Sequence, residues 1–206
     1  MTNAAVRIAV VDNDPLYRKG LVETISGPSL VVLAQGETAE DVVRIVREHR
    51  ADVLILEIGL SGDAIAAVKT ALRTRPGLKV IFLTSSSDED DLSDALRVGV
   101  HGYILKGVRG PELITAITAV HNGESYVTPA LGARMLIQTK GKLLAPASKS
   151  EQMHLTFRDR RVLHNLAKGL SNRELASELG VSVRTIKYYV SRLFRKMGVH
   201  SRFQAI

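Results

Sequence analysis

Five short runs of apolar residues lie between Val6 and Leu105, and each is followed by a stretch of helical character. The runs are Val6–Val11, Leu30–Ala34, Val53–Ile58, Lys79–Thr84 and Gly102–Leu105. Continuous rather than alternating apolar character suits strands covered on both faces. The segments between them carry helix signals. Asp14 and Pro15 pair an N-cap with a proline at the first helical position, and Leu16, Gly20, Leu21 and Ile25 carry that helix to Gly27-Pro28. Thr38 to His49 places Val42, Val43 and Val46 inward. Asp63 to Arg75 ends at Pro76-Gly77. Ser87 caps Asp88–Val98, which opens with four acidic residues at the positive end of its dipole. Gly110-Pro111 opens a last helix, to about Asn122-Gly123. Strand–helix alternation with right-handed crossovers predicts a doubly wound, five-stranded parallel α/β domain over residues 6–122. Functional groups in such a sheet gather outside the carboxyl ends of its strands.

The pattern changes after residue 122. Residues 123–150 read as a linker, with a helix expected over 128–138 that offers Leu131, Met135 and Leu136 for packing. The stretch 139–150, TKGKLLAPASKS, has linker composition. Residues 151–206 read as all-α. Thr156 caps Phe157–Lys168, with Asp159 closing a capping box and Val162, Leu163 and Leu166 inward. Leu170 to Met197 then reads as two helices and a tight turn. Ser171 and Glu174 form a second capping box, Gly180 ends the first helix and Ser182 caps the next. Along that helix Ile186, Val190, Leu193 and Met197 face inward, while Arg184, Lys187, Tyr188, Ser191, Arg192 and Arg195 face outward. A short helix, a glycine turn and a basic second helix make a helix-turn-helix pattern, whose second helix enters the DNA major groove.

Charge supports this division. The 206-residue chain has a net charge of +7, and residues 151–206 hold 11 Lys and Arg against 4 Asp and Glu, so the entire excess lies in the last quarter. A compact basic domain beside a neutral one is the electrostatic footprint of nucleic-acid binding. The chain has no cysteine, which excludes disulfides and thiolate metal sites. It shows no secretion signal and no apolar run long enough for a membrane helix, so a cytoplasmic protein without membrane association is expected. No glycine-rich phosphate loop follows the first strand, and neither a Ser-His-Asp constellation nor a metal cluster appears. His49, His121, His154, His164 and His200 stand singly. No catalytic residue, metal or cofactor is therefore assigned, and an enzyme is not expected.

The C-terminal part resembles the LuxR-type output domain of bacterial response regulators of the NarL/FixJ class. The residues that carry the resemblance are Leu155-Thr156, Arg158-Asp159-Arg160, Val162-Leu163, Gly169 to Ala176 (GLSNRELA), Val181-Ser182, Thr185-Ile186-Lys187 and Lys196 to Val199 (KMGV). The resemblance covers nearly the whole chain. It implies a sequence-specific DNA-binding transcriptional regulator of two-component type, with Arg184, Thr185, Lys187, Tyr188, Ser191, Arg192 and Arg195 at the DNA. Arg and Lys suit guanine edges or phosphates, and Ser and Tyr suit phosphates. Tyr188-Tyr189 stand where the family usually has a small polar residue and His. A homodimer is expected. The family continues with a fourth output helix, often used for dimerisation, and Ile206 falls within its first turn.

The resemblance also assigns a receiver pocket. Such domains carry two acids after the first strand, a phosphoacceptor Asp after the third, a hydroxyl after the fourth and a Lys after the fifth. The acids hold Mg²⁺. These positions are Asp12, Asn13, Glu57, Thr84 and Lys106, so two of them depart from the pattern. Asn13 removes a charge from a site for a hard cation, and Mg²⁺ binding is in doubt. Glu57 sets its carboxylate one methylene further out, where in-line attack tolerates little misplacement. Leu60-Ser61 replace the usual Met-Pro. Three readings follow: Glu57 stands in for a phosphorylated Asp, or the pocket is a silent remnant, or it accepts phosphate inefficiently. The first is preferred. A simple buried ion pair between Lys106 and Glu57 is compatible with the first two. Tyr103 occupies a position whose aromatic swings inward with Thr84 as similar receivers change state; as plain packing it would be partly exposed. Conventional phosphorylation control and antagonism of another regulator through protein contacts are the alternatives, and a sensor kinase is left unassigned.

Overall fold

The computed structural model describes residues 4–87, 89–133, 157–179, 183–199 and 201–205. It divides into two compact units, Met1–Ala145 and Pro146–Ile206.

The first unit is the α/β domain. Its strands are β1 (Val6–Val11), β2 (Leu30–Gly36), β3 (Val53–Leu56), β4 (Lys79–Thr84), β5 (Gly102–Leu105) and β6 (Tyr126–Val127). Its helices are α1 (Pro15–Ile25), α2 (Ala39–Glu48), α3 (Ala64–Thr74), α4 (Glu89–Val98) and α5 (Gly110–His121). The sheet order is β2-β1-β3-β4-β5-β6, with every pair parallel. Each helix therefore lies on one or other face, and the chain changes direction of winding between β1 and β3. One core layer joins Ile8, Val10, Ile55, Ile81 and Ile104 to Leu21 and Ile25 of α1 and to Leu113, Ile117 and Val120 of α5. β3 and β4 are buried on both sides, which explains their unbroken apolar runs. The edge strand β2 exposes Val31 (41%) and Leu33 (39%), so the expected cover on both faces is corrected there. Gly102 admits the side chain of Ile81, which would stand 3.0 Å from an added Cβ.

The sheet has six strands rather than the five expected. The Tyr126 amide donates to the His101 carbonyl (3.0 Å), the Thr128 amide to the Tyr103 carbonyl (3.1 Å), and the Leu105 amide to the Thr128 hydroxyl (3.0 Å). Residues 126–128, read from the sequence as linker, thus pair with β5 and cover its open side. Two residues carry no periodicity, and only the pairing reveals them. The remainder of the helix expected over 128–138, from residue 134, and the linker 139–150 fall outside the described residues.

Local helix chemistry matches the sequence signals. The Asp14 carboxylate accepts the Leu16 and Tyr17 amides at 3.0 Å each. Thr38 and Asp41 form a capping box at the start of α2. Asp41 also pairs with Arg44 at 2.6 Å and accepts the Glu37 amide at 2.9 Å.

The second unit contains α6 (Phe157–Ala167), α7 (Asn172–Leu179), α8 (Val183–Lys196) and the short α9 (Arg202–Ala205). Ser171 and Glu174 form the expected box: the Ser171 amide and hydroxyl each donate to Glu174 at 2.7 Å, and the Glu174 amide donates to the Ser171 hydroxyl at 3.3 Å. Val162, Leu166, Leu175, Ala176, Ile186, Tyr189, Val190 and Leu193 make the core. The Arg202 guanidinium donates to the carbonyls of Leu166 (2.7 Å) and Leu170 (3.0 Å), satisfying groups that the end of α6 leaves open. The expected caps at Thr156 and Ser182 and the turn at Gly180 lie outside the described residues.

Asp41 yields a pH prediction. Arg44 first, then the Glu37 amide, hold its carboxyl well below the usual carboxylate range. A depressed folded value contributes stability above the unfolded value, near 3.9, and loses it as pH falls. The urea midpoint of the α/β domain should therefore drop between about pH 5 and pH 2, and drop less steeply in Asp41→Asn.

Candidate functional site

Register places the site. Val11 is level with Leu56, Leu56 with Phe82, and Thr84 with Leu105. Asp12, Glu57, Thr84 and Lys106 therefore emerge together at the carboxyl ends of β1, β3, β4 and β5. The strand order reverses between β1 and β3, and an open α/β sheet forms its binding crevice at such a point.

The four side chains meet. Lys106 Nζ lies 2.7 Å from Asp12 Oδ2 and 2.9 Å from Glu57 Oε2. The Thr84 hydroxyl donates to Glu57 Oε1, which also accepts the Gly59 amide at 3.1 Å. Asp12 Oδ1 accepts the Asp14 amide at 2.9 Å. Two carboxylates thus share one ammonium. Burial raises the Asp12 carboxyl against the opposing pull of Lys106. Burial acts to lower Lys106, but the charge of Glu57 and the hydrogen bond to Asp12 raise it overall. Of the two acids Asp12 is the deeper, at 2% exposure against 8% for Glu57.

A divalent cation does not fit this donor set. All four carboxylate oxygens of Asp12 and Glu57 have partners, and the cation between them is the ammonium. Asn13, at the position where similar receivers carry a second acid, donates its amide nitrogen to the Gly59 carbonyl at 3.0 Å. Hard cations take anionic or carbonyl oxygen, and the amide dipole here leads with nitrogen.

Tyr103 is buried at 0% exposure, which corrects the partly exposed position that plain packing implied. Its ring lies 6.2 Å from that of Phe82 and its hydroxyl donates to the Ser86 carbonyl at 3.0 Å. The Ser86 amide donates to the Thr84 hydroxyl at 3.0 Å. Thr84 at the end of β4 and Tyr103 on β5 are therefore both turned inward, against Ser86 of the loop after β4.

Four contributors went unnoticed in the sequence. Lys106 Nζ sits 4.2 Å above the ring of Tyr17. Arg18 donates to the Asp12 carbonyl and pairs with Glu37 at 2.7 Å. Ser86 and Asp91 share a buried hydrogen bond of 2.5 Å. Tyr17 and Arg18 fall one turn into a helix already explained by its cap. Asp91 was grouped with the four acids attributed to the helix dipole, yet it is 1% exposed.

On α8, Lys187, Ser191 and Arg195 are exposed and Tyr188 is half-buried. Tyr189 packs inward, its ring 5.8 Å from that of Tyr188. Arg192 departs from the expected outer face. It is 5% exposed, with its guanidinium 5.8 Å from the Tyr189 ring. A guanidinium on a long stem can fold against an aromatic neighbour, and spacing alone does not show this. The side chains of Arg184 and Thr185 lie outside the described set.

Residues 8–118 match the response regulator receiver domain, and residues 153–206 match the luxR family of bacterial regulatory proteins. The chain belongs to the response regulators of the NarL/FixJ class. It is 30% identical over 203 residues to the DNA-binding transcriptional activator DevR/DosR of Mycobacterium tuberculosis, covering 97% of this chain and 92% of that protein. It is 31% identical over 202 residues to the transcriptional regulatory protein YhcZ of Bacillus subtilis, covering 97% and 93%. Among solved structures, the response regulator ChrA of a heme-sensing two-component system aligns over 99% of this chain and 96% of its own, with 27% identity and a TM-score of 0.54. The response regulator RcsB, solved in complex with DNA, aligns over 98% and 99%, with 22% identity and a TM-score of 0.59, a likeness of fold. Among the described residues, no helix is long and apolar enough to cross a membrane.

Removing Lys106 leaves two carboxylates facing each other in a largely buried site. Lys106→Met should cost the receiver about 3 kcal/mol, read as its urea transition at pH 7. Asp12→Asn on that background should recover part of the loss.

Proposed function

We propose that this chain is a sequence-specific DNA-binding transcriptional regulator whose receiver works without aspartyl phosphorylation. Glu57 stands where the phosphoacceptor would be, and its carboxylate occupies the partners a phosphoryl group would need. The observation that carries the reading is the pair of bonds it makes at once, to the Lys106 ammonium and to the Thr84 hydroxyl, with Tyr103 buried behind them. A permanent anion on those two partners keeps Thr84 and Tyr103 inward without any group transfer. Phosphorylation of Glu57 would first have to break both bonds, and Asn13 offers the incoming charge no metal site.

The output reading rests on α8. Lys187, Ser191 and Arg195 occupy its exposed face, together with the half-buried Tyr188, on a domain that carries the whole net charge of the chain. Arg184 and Thr185 complete the proposed reading surface by sequence position. Lys and Arg supply the phosphate contacts that dominate affinity, and one or two of them read base edges. Buried Arg192 supports the helix through Tyr189 rather than reading bases. The DNA-binding activator DevR/DosR, similar over nearly its full length, favours the same output. We extend the proposal to a homodimer acting in the cytoplasm, with no cofactor and no catalytic step of its own. The RcsB fold has been solved as dimers bound to DNA.

The experiment is selection of duplexes from a random pool, with and without acetyl phosphate. The same operator should emerge in both arms, with no mass increase at residue 57. A phosphoryl adduct on Glu57, or an operator seen only with donor, would return the chain to conventional control. Failure to bind any DNA at low salt would favour a protein antagonist. On the selected operator, Lys187→Ala should weaken binding by ~1–3 kcal/mol if the side chain reads a base, and should lower the salt slope by about one if it meets a phosphate.

A further inference from the structure

Ser86 is held on three sides. Its amide donates to the Thr84 hydroxyl at the end of β4, its carbonyl accepts the Tyr103 hydroxyl from β5, and its own hydroxyl donates to Asp91 Oδ2 in the first turn of α4. Thr84 in turn donates to Glu57. We infer that Asp91 is a positioning residue, tying α4 to the carboxylate at position 57 through the Ser86 hydroxyl. This rests on the proposal that Glu57 sets the state of the receiver.

The chemistry of Asp91 favours this over a role in helix stability alone. An acid in the first turn of a helix gains from the dipole while fully solvated. Asp91 instead gives up its hydration, at 1% exposure, which is costly for a carboxylate unless strong hydrogen bonds replace the lost water. Its partner is the Ser86 hydroxyl, and a hydroxyl donating to a carboxylate is a charge-assisted bond, about twice as strong as a neutral one. Leu92 and Ala95 of the same helix are both 0% exposed, but apolar burial has no direction. The Asp91–Ser86 bond does have direction. It fixes the first turn of α4 to one residue, and that residue is already fixed by Thr84 and Tyr103. Loss of the anion at position 57 would release the Thr84 hydroxyl, loosen the Ser86 loop and free the start of α4. The surface presented by α4, including exposed Leu96, would then respond to the pocket.

Amide hydrogen exchange of the full chain, read by mass spectrometry on peptides from 89–98, tests this. Ser86→Ala and Asp91→Ala should each raise exchange there roughly tenfold or more, the scale of one hydrogen bond to a charged group. Glu57→Gln should raise it too, and Glu57→Gln combined with Ser86→Ala should add little to either alone. Ser86→Thr, which keeps the hydroxyl, should stay near the parental rate. Asp91→Asn, which keeps an acceptor oxygen but loses the charge, should fall between the parental rate and that of Asp91→Ala. The inference is overturned if Ser86→Ala leaves exchange unchanged, if Ser86→Thr loosens α4 as much as Ser86→Ala, or if Glu57→Gln acts equally with and without the Ser86 hydroxyl. Operator affinity of Glu57→Gln separates the two levels. Unchanged affinity with loosened α4 overturns the control reading and leaves the tie between Asp91 and residue 57 standing.

Discussion

One ammonium between two carboxylates is the interaction on which the receiver depends. Lys106 comes from the end of β5, Asp12 from the end of β1 and Glu57 from the end of β3, so the contact closes across the width of the sheet. Each of these groups is expensive to bury alone. Together they leave one net negative charge, offset by the amides of Asp14 and Gly59, the Thr84 hydroxyl and the face of Tyr17. The site is thus balanced from within. A newcomer to these carboxylate oxygens would have to displace a partner already in place.

The extra methylene of Glu57 matters through reach. An aspartate at this position would hold its carboxylate one methylene nearer the backbone. Glutamate spans that distance with carbon. Its two oxygens divide the work, one to Lys106 and one to Thr84 and Gly59. The inward Tyr103 follows from the same arrangement, because the loop that carries Ser86 is drawn toward Thr84 and offers its carbonyl to the tyrosine hydroxyl.

The helical domain is built on a different principle. Its core is small and aliphatic, with Tyr189 as the large member, and its ends are held by polar devices: the Ser171–Glu174 box and the Arg202 guanidinium on the carbonyls of α6 and the turn after it. Such devices fix where each helix starts and stops, which in a helix-turn-helix sets the angle of the reading helix. Lys187 and Arg195 stand exposed on that helix.

Much of this was legible in the sequence, because the signals are local. Unbroken apolar runs declare strands buried on both faces. Asp14-Pro15 and Ser171 with Glu174 declare helix starts, since a cap needs only residues two or three positions away. The positions of Asp12, Glu57, Thr84 and Lys106 followed from strand ends together with family resemblance. What stayed hidden depends on partners distant in the chain. The two-residue β6 exists only because β5 offers it an edge. Arg192 turns inward because Tyr189 provides a surface, where helical spacing placed it outside. Asp91 had the composition of a solvated helix start, and only the fold brings Ser86 over it. The amino-acid sequence by itself determined the elements, their order and the charge asymmetry between the domains. The tertiary structure decided which charges neutralise one another, because ion pairing and burial depend on distance in space, and neighbours at the ends of parallel strands are separated by whole helices along the chain.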